Sequence, residues 1–209
     1  GQGELADAAA ALDWLERENF DNSQCWISGF SFGSLIAMQL LMRRPEINRF
    51  VAISPQPNVY DFSFLSPCPT SGMVVYGKKD ELVPVEYITE LDKRLSAQKG
   101  IKVEFQTITE ANHFFSKTDD ALTKTLDKYI KKEILNVAEK EILDYSVVSS
   151  QVANSMALNA KKILKSDFAI ATTGNAGPEK GDSDKDIGLI YISIATLNEV
   201  KSFEFNFGK

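Results

Sequence analysis

Apolar positions first recur at helical spacing in ELADAAAALDWLEREN, where Leu5, Ala8, Leu12 and Leu15 fall on one face. The next segment, CWISG, is a short apolar run closed by Gly29 and reads as a buried strand. Helical spacing returns in SLIAMQLLMRRPE, which must end before Pro45 and sets Arg43 and Arg44 at the negative helix end. FVAIS and MVVYG are two more short apolar strands, with the proline-rich SPCPTSG in the loop between them. A helix over VEYITELDKRLSAQ precedes the alternating strand IKVEFQTI, and a long amphipathic helix follows in DDALTKTLDKYIKKEIL. Strands that alternate with helices and bury both faces predict an α/β fold, a parallel sheet with flanking helices.

After about Glu133 the pattern changes. SSQVANSMALNAKKIL reads as a helix with a serine cap, and Val152, Met156, Ala160 and Ile163 face inward. FAIATTG is an apolar strand that runs into the glycine-rich turn TGNAGPEKGDSDKD, and the strands IGLIYISIA and VKSFEFNF close the chain. There is no internal repeat, and no Gly, Ser or Pro-rich linker at the junction.

Composition narrows the function classes. The 209 residues are 44% apolar, enough for one substantial core or two small ones. A net charge of −6 and a pI near 5.0 lack the basic footprint of a nucleic-acid binder. No apolar run approaches the roughly 18–20 residues that span a bilayer, and no charged-then-apolar leader is evident. The expectation is therefore a cytoplasmic protein with no membrane partner. Cys25 and Cys68 lack metal-ligand spacing, so they are expected to be two reduced thiols, with no metal or cofactor.

Candidate chemistry begins at the Gly-x-Ser-x-Gly pentad from Gly29 to Gly33. A chain of this length carries such a pentad by chance about one time in fifteen. Its context is more telling, because it follows a strand and opens a helix, as a nucleophile elbow does. A serine hydroxyl needs a base, and the sole histidine, His113, directly follows the strand IKVEFQTI. An acid must orient that imidazole, and Asp80 directly follows the strand MVVYG. The order Ser31, Asp80, His113, each at the carboxyl end of a strand, is the chain order of α/β-hydrolase triads.

Residues from about 1 to 132 resemble a bacterial family of small, lidless α/β-hydrolases. The matching stretches are GELADAAAALDW, CWISGFSFGSLIAMQLLMRRPEI, YDFSFLSPCPTSG, VYGKKDELVP and ANHFF. The resemblance implies Ser31 as nucleophile, His113 as general base, Asp80 as its orienting acid and the Phe32 amide as one oxyanion donor. It names no particular ester or amide as substrate. It also implies that Gly1 falls inside the family's domain, with the early strands and a second oxyanion donor upstream of it. On that expectation activity is impaired and CWISG presents an open apolar edge.

Residues from about 134 to 209 resemble the C-terminal domain of CinA-type proteins, a nicotinamide-mononucleotide amidohydrolase family. The matches are ILNVAEKEILDYSVVSSQVANSMA, AIATTGNAGPEKG and IGLIYISIA. By ancestry they imply a phosphate-contacting loop carrying Thr173, Gly174, Gly177 and Gly181. The family's upstream half, with its catalytic serine, is replaced here, and Lys131 is read as a coincidental match to the family's lysine. Asn175, Lys180 and Asp186 replace the usual Ile, Gly and Pro. The expected domains are therefore 1–132, hydrolase-like, and 133–209, CinA-like.

Three functional readings follow. The first is a serine hydrolase by descent, acting on a small ester or amide. The second is a non-catalytic fusion or degraded-gene remnant. The third is a binding segment for nicotinamide mononucleotide at Thr173 to Gly181.

Overall fold

The computed structural model describes residues 2–18, 24–164, 166–175 and 185–207. The chain divides into two compact units, Gly1–Leu122 and Thr123–Lys209.

In the first unit the elements run α1 (Gln2–Glu18), β1 (Trp26–Phe30), α2 (Phe32–Leu41), β2 (Arg49–Ile53), β3 (Gly72–Gly77), α3 (Val85–Ser96) and β4 (Val103–Ile108). The strands form one parallel sheet in the order β1-β2-β3-β4. Consecutive strands are neighbours, so all their carboxyl ends lie on one edge, where α/β sheets place their sites.

β2 and β3 supply the buried middle of the sheet through Phe50, Met73, Val74 and Val75. α2 is apolar nearly all round, and buries Leu35 through Met38, Leu40 and Leu41. α3 contributes an amphipathic stripe of Ile88, Leu91 and Leu95.

Two expectations need correction here. Leu15 does not face the core: it is 48% exposed and, of the helix, only Leu12 is buried. α2 ends at Leu41, so Arg43 and Arg44 lie beyond its last turn. Arg44 instead binds Asp13 (2.7 Å) and Glu16 (2.9 Å) of α1, together with Glu46.

Among the described residues β1 pairs on one side only, with β2. Beside it lies a groove of about 780 Å³, lined by Leu12, Trp14, Leu15, Trp26, Phe30 and Ile36 among others.

α4 (Asp119–Glu133) carries the chain across the division. The second unit continues with α5 (Glu139–Tyr145), α6 (Ser150–Leu164), β5 (Ala169–Gly174), β6 (Leu189–Ala195) and β7 (Val200–Asn206). Its sheet is antiparallel, in the order β5-β6-β7. α6 lies against it, burying Val152, Ala153, Met156 and Ala157, whereas Ala160 and Ile163 are half-buried. The buried strand residues Ala169, Ala171, Ser193 and Ala195 are small, which lets the helix approach closely. α5 has no counterpart in the sequence reading, because seven residues with one buried position, Ile142, are too short to show a period.

Cys25 and Cys68 are free thiols, the first half-buried and the second buried. Among the described residues no helix is long and apolar enough to cross a membrane.

Candidate active site

Ser31 occupies the turn between β1 and α2 with φ 53° and ψ −119°, a region that residues with a side chain seldom adopt. Neighbouring groups hold it there. The Ser31 amide donates to the Ile53 carbonyl at 2.8 Å. The Ser34 hydroxyl lies within 2.7 Å of the Gly29 carbonyl and 3.0 Å of the Ile53 carbonyl, closing the turn onto β2. A side chain at Gly29 would overlap the backbone of Gly33 and Ser34, whereas one at Gly33 would meet nothing within 4 Å. Only the first glycine of the pentad is therefore demanded by the turn.

Asp80 follows β3. Its Oδ1 accepts from the amides of Leu82 (2.9 Å) and Val83 (3.0 Å), which leaves Oδ2 aimed at the imidazole. His113 follows β4 on a loop that crosses close over Gly77, where a Cβ would overlap the Ala111 carbonyl. The His113 carbonyl accepts from the buried Ser54 hydroxyl at 3.0 Å. Ser54 closes β2 and has φ 44°, so it too sits in a rarely occupied conformation.

These three loop ends bring the predicted residues together. His113 Nδ1 lies 2.7 Å from Asp80 Oδ2, and His113 Nε2 lies 2.8 Å from Ser31 Oγ. The side chains of Asp80 and His113 are each only 3% exposed, while Ser31 is half-buried and reachable. A carboxylate only accepts, so Nδ1 carries the proton and Nε2 is left as an acceptor for the serine hydroxyl. Phe32 opens α2, so its amide lies in the first turn, where N–H groups lack partners within the helix. Its ring packs on Tyr60 at 5.6 Å.

In the second unit Thr173 and Gly174 end β5, while Gly177 and Gly181 lie outside the described residues, as does Lys180. Thr173 is buried, and its hydroxyl donates to the Val147 carbonyl at 2.6 Å. Lys131, set aside in the sequence as coincidence, is also buried; its ammonium pairs with Asp127 at 2.6 Å and reaches Thr173 Oγ1 at 3.3 Å. Asn175 bonds back into the turn through the Lys185 carbonyl at 2.9 Å.

Sequence reasoning missed Ser34, Ser54 and Gly77. Ser54 follows β2, Gly77 ends β3 and Ser34 lies in the first turn of α2, but nothing local in the sequence distinguishes them from ordinary serines and glycines.

Comparison with known proteins gives two family matches. The dienelactone hydrolase family matches residues 2–143, and the CinA C-terminal domain matches residues 123–209. An uncharacterized protein of Rickettsia prowazekii is 47% identical over 134 residues, covering 62% of this chain and 56% of that protein. A CinA-like protein of Flavobacterium psychrophilum is 49% identical over 79 residues, 38% of this chain and 19% of that protein. Among solved structures, a protein of unknown function and candidate alpha/beta hydrolase from Agrobacterium tumefaciens is 47% identical. It has a TM-score of 0.64 and covers 65% of this chain and 62% of that one. The chain thus spans little more than half of the first relative and about a fifth of the second.

Proposed function

Because this chain belongs to the dienelactone hydrolase family, we propose that it hydrolyses a small ester or amide through an acyl-enzyme on Ser31. In the first half-reaction Ser31 Oγ attacks the carbonyl carbon and its proton passes to His113 Nε2. The bond to the leaving oxygen or nitrogen then breaks, and that atom takes the proton from Nε2. Water repeats the sequence on the acyl-enzyme, and releases the acid while Ser31 regains its proton. Asp80 keeps the imidazole in the Nδ1–H tautomer and stabilises it when charged. The Phe32 amide, at the positive end of α2, serves the developing oxyanion.

The observation that carries this reading is the unbroken relay from Asp80 Oδ2 through His113 to Ser31 Oγ. A fluorophosphonate probe tests it on the purified chain. Labelling is expected in the wild type, lost in Ser31→Ala, and slowed on the order of 10³-fold or more in His113→Ala. A soluble, cooperatively folded chain that takes no label is a non-catalytic remnant, and the reading falls.

A second reading is favoured by the buried Lys131 ammonium beside Thr173. The second unit would bind nicotinamide mononucleotide at that end of β5. A ligand stabilises only the state that binds it, so the expected result is a melting temperature raised by the nucleotide and unmoved in Thr173→Val.

A further inference from the structure

Two large apolar rings stand exposed beside the reacting pair, one at the end of β1 and one on the loop after β4. Phe30 immediately precedes Ser31 and is 42% exposed; Phe114 immediately follows His113 and is 65% exposed. The ring of Phe30 lies 5.6 Å from the imidazole of His113 and 6.1 Å from Phe114, tilted to both. Phe114 meets the imidazole edge-on at 5.1 Å. All three separations fall in the range over which aromatic rings attract one another. Phe32 differs, since its ring is engaged by Tyr60 and joins the first unit's core.

We infer that Phe30 and Phe114 form the acyl-binding surface of the site and select neutral esters whose acyl group carries an aromatic ring. The inference rests on the hydrolase reading of Ser31 and names the substrate class that reading leaves open. An aromatic acyl group laid against these rings adds a third ring to an existing pair and withdraws apolar surface from water on both sides. A carboxylate in the same place would lose hydration against two hydrocarbon faces. The chemistry is unchanged: the ester C–O bond breaks, methanol leaves with the proton from His113, and water releases the free acid.

The plainer role for both rings is to shield the imidazole from water, and losing a shield would slow every substrate alike. Selectivity separates the two. Hydrolysis of methyl phenylacetate, methyl acetate and monomethyl succinate by the full chain is followed as proton release, with Ser31→Ala as blank. The expected order of kcat/KM is phenylacetate above acetate by at least about tenfold, with succinate lowest. Phe114→Ala and Phe30→Ala are expected to bring the phenylacetate-to-acetate ratio toward one, and Phe114→Leu to restore only part of it. Both positions are exposed, and a thermal melt of each variant checks that the fold is intact. Fluorophosphonate labelling keeps the two readings apart. A labelled Ser31 with an unchanged ratio in both variants, or with succinate preferred, overturns the acyl surface alone. An unlabelled Ser31 with no Ser31-dependent turnover overturns the hydrolase reading and this inference with it.

Discussion

At Gly29 a methyl group would overlap the Gly33 carbonyl and lie 2.7 Å from the Ser34 amide, whereas at Gly33 it would enter open space. Gly29→Ala must displace backbone at the Ser31 turn, a change of the overpacking kind that costs about 1–3 kcal/mol. Gly33 lies in the first turn of α2, where replacing glycine by alanine restricts the unfolded chain and stabilises by about 0.4–1 kcal/mol. Thermal melts should therefore move in opposite directions, down for Gly29→Ala and up or unchanged for Gly33→Ala. Equal destabilisation by both would mean the turn is not built as described. Ser54 makes a second prediction at this scale. Its hydroxyl is the donor to the His113 carbonyl, and that carbonyl is left without it in Ser54→Ala. The expected loss is about 1–3 kcal/mol of stability. Fluorophosphonate labelling should slow as His113 loses its tether; an unchanged labelling rate would remove Ser54 from the positioning of the base.

Elements explain which of these residues were legible beforehand. Ser31, Asp80 and His113 follow the short apolar strands β1, β3 and β4, and the parallel sheet β1-β2-β3-β4 brings their carboxyl ends to one edge. Chain order and strand ends therefore pointed to them. Ser54 ends a strand too, but its partner is 59 residues away, and a serine in that place has no periodic or motif signature. Leu15 misled because helical spacing marks a possible apolar face without saying how wide a neighbour covers it. Lys131 was hidden by α4 itself, whose amphipathic pattern is satisfied whether that lysine faces water or Thr173. α6 was legible at its start. Ser149 Oγ accepts from the Val152 amide at 3.2 Å and donates to the Ser146 carbonyl at 3.0 Å, so the serine cap read from the sequence is in place. Ser149→Ala should cost about 0.5–2 kcal/mol, measured by denaturant unfolding. In the first unit, burial pushes both thiols upward, and for Cys25 the carboxylates of Glu16 and Glu46 add to the effect. A raised pKa means less thiolate at neutral pH. Both cysteines should react with iodoacetamide more slowly in the folded chain than in denaturant, with a rate that climbs as pH rises. Rapid alkylation of Cys68 at pH 7 would contradict its burial.

Across the whole molecule, a net charge of −6 coexists with broad exposed apolar surface. In the first unit the groove beside β1 exposes Trp14 at 57% and Leu15 at 48%. In the second, the strand register sets Ile170 opposite Ile194, Ile192 opposite Phe203 and Ile190 opposite Phe205, so these residues share one face of the sheet. Ile170, Phe203 and Phe205 on that face are 68%, 45% and 40% exposed. The opposite face carries the small buried residues that receive α6, so the large side chains collect on the side the helix does not cover. Contiguous apolar surface of this kind binds hydrophobic dyes and drives association, and β1, which pairs on one side only among the described residues, adds a template for pairing. The folded chain should therefore enhance anilinonaphthalene sulfonate fluorescence at neutral pH, and scatter light increasingly as concentration rises. Trp14→Glu should lower both signals by placing a charge in the groove, and Phe203→Glu should do the same on the sheet. Each position is exposed, so neither substitution removes core packing, and the melting temperature should stay within a few degrees of the wild type. Dye binding that survives both substitutions unchanged would mean that these two surfaces are covered in solution, and that the paired side of β1 is not its only one.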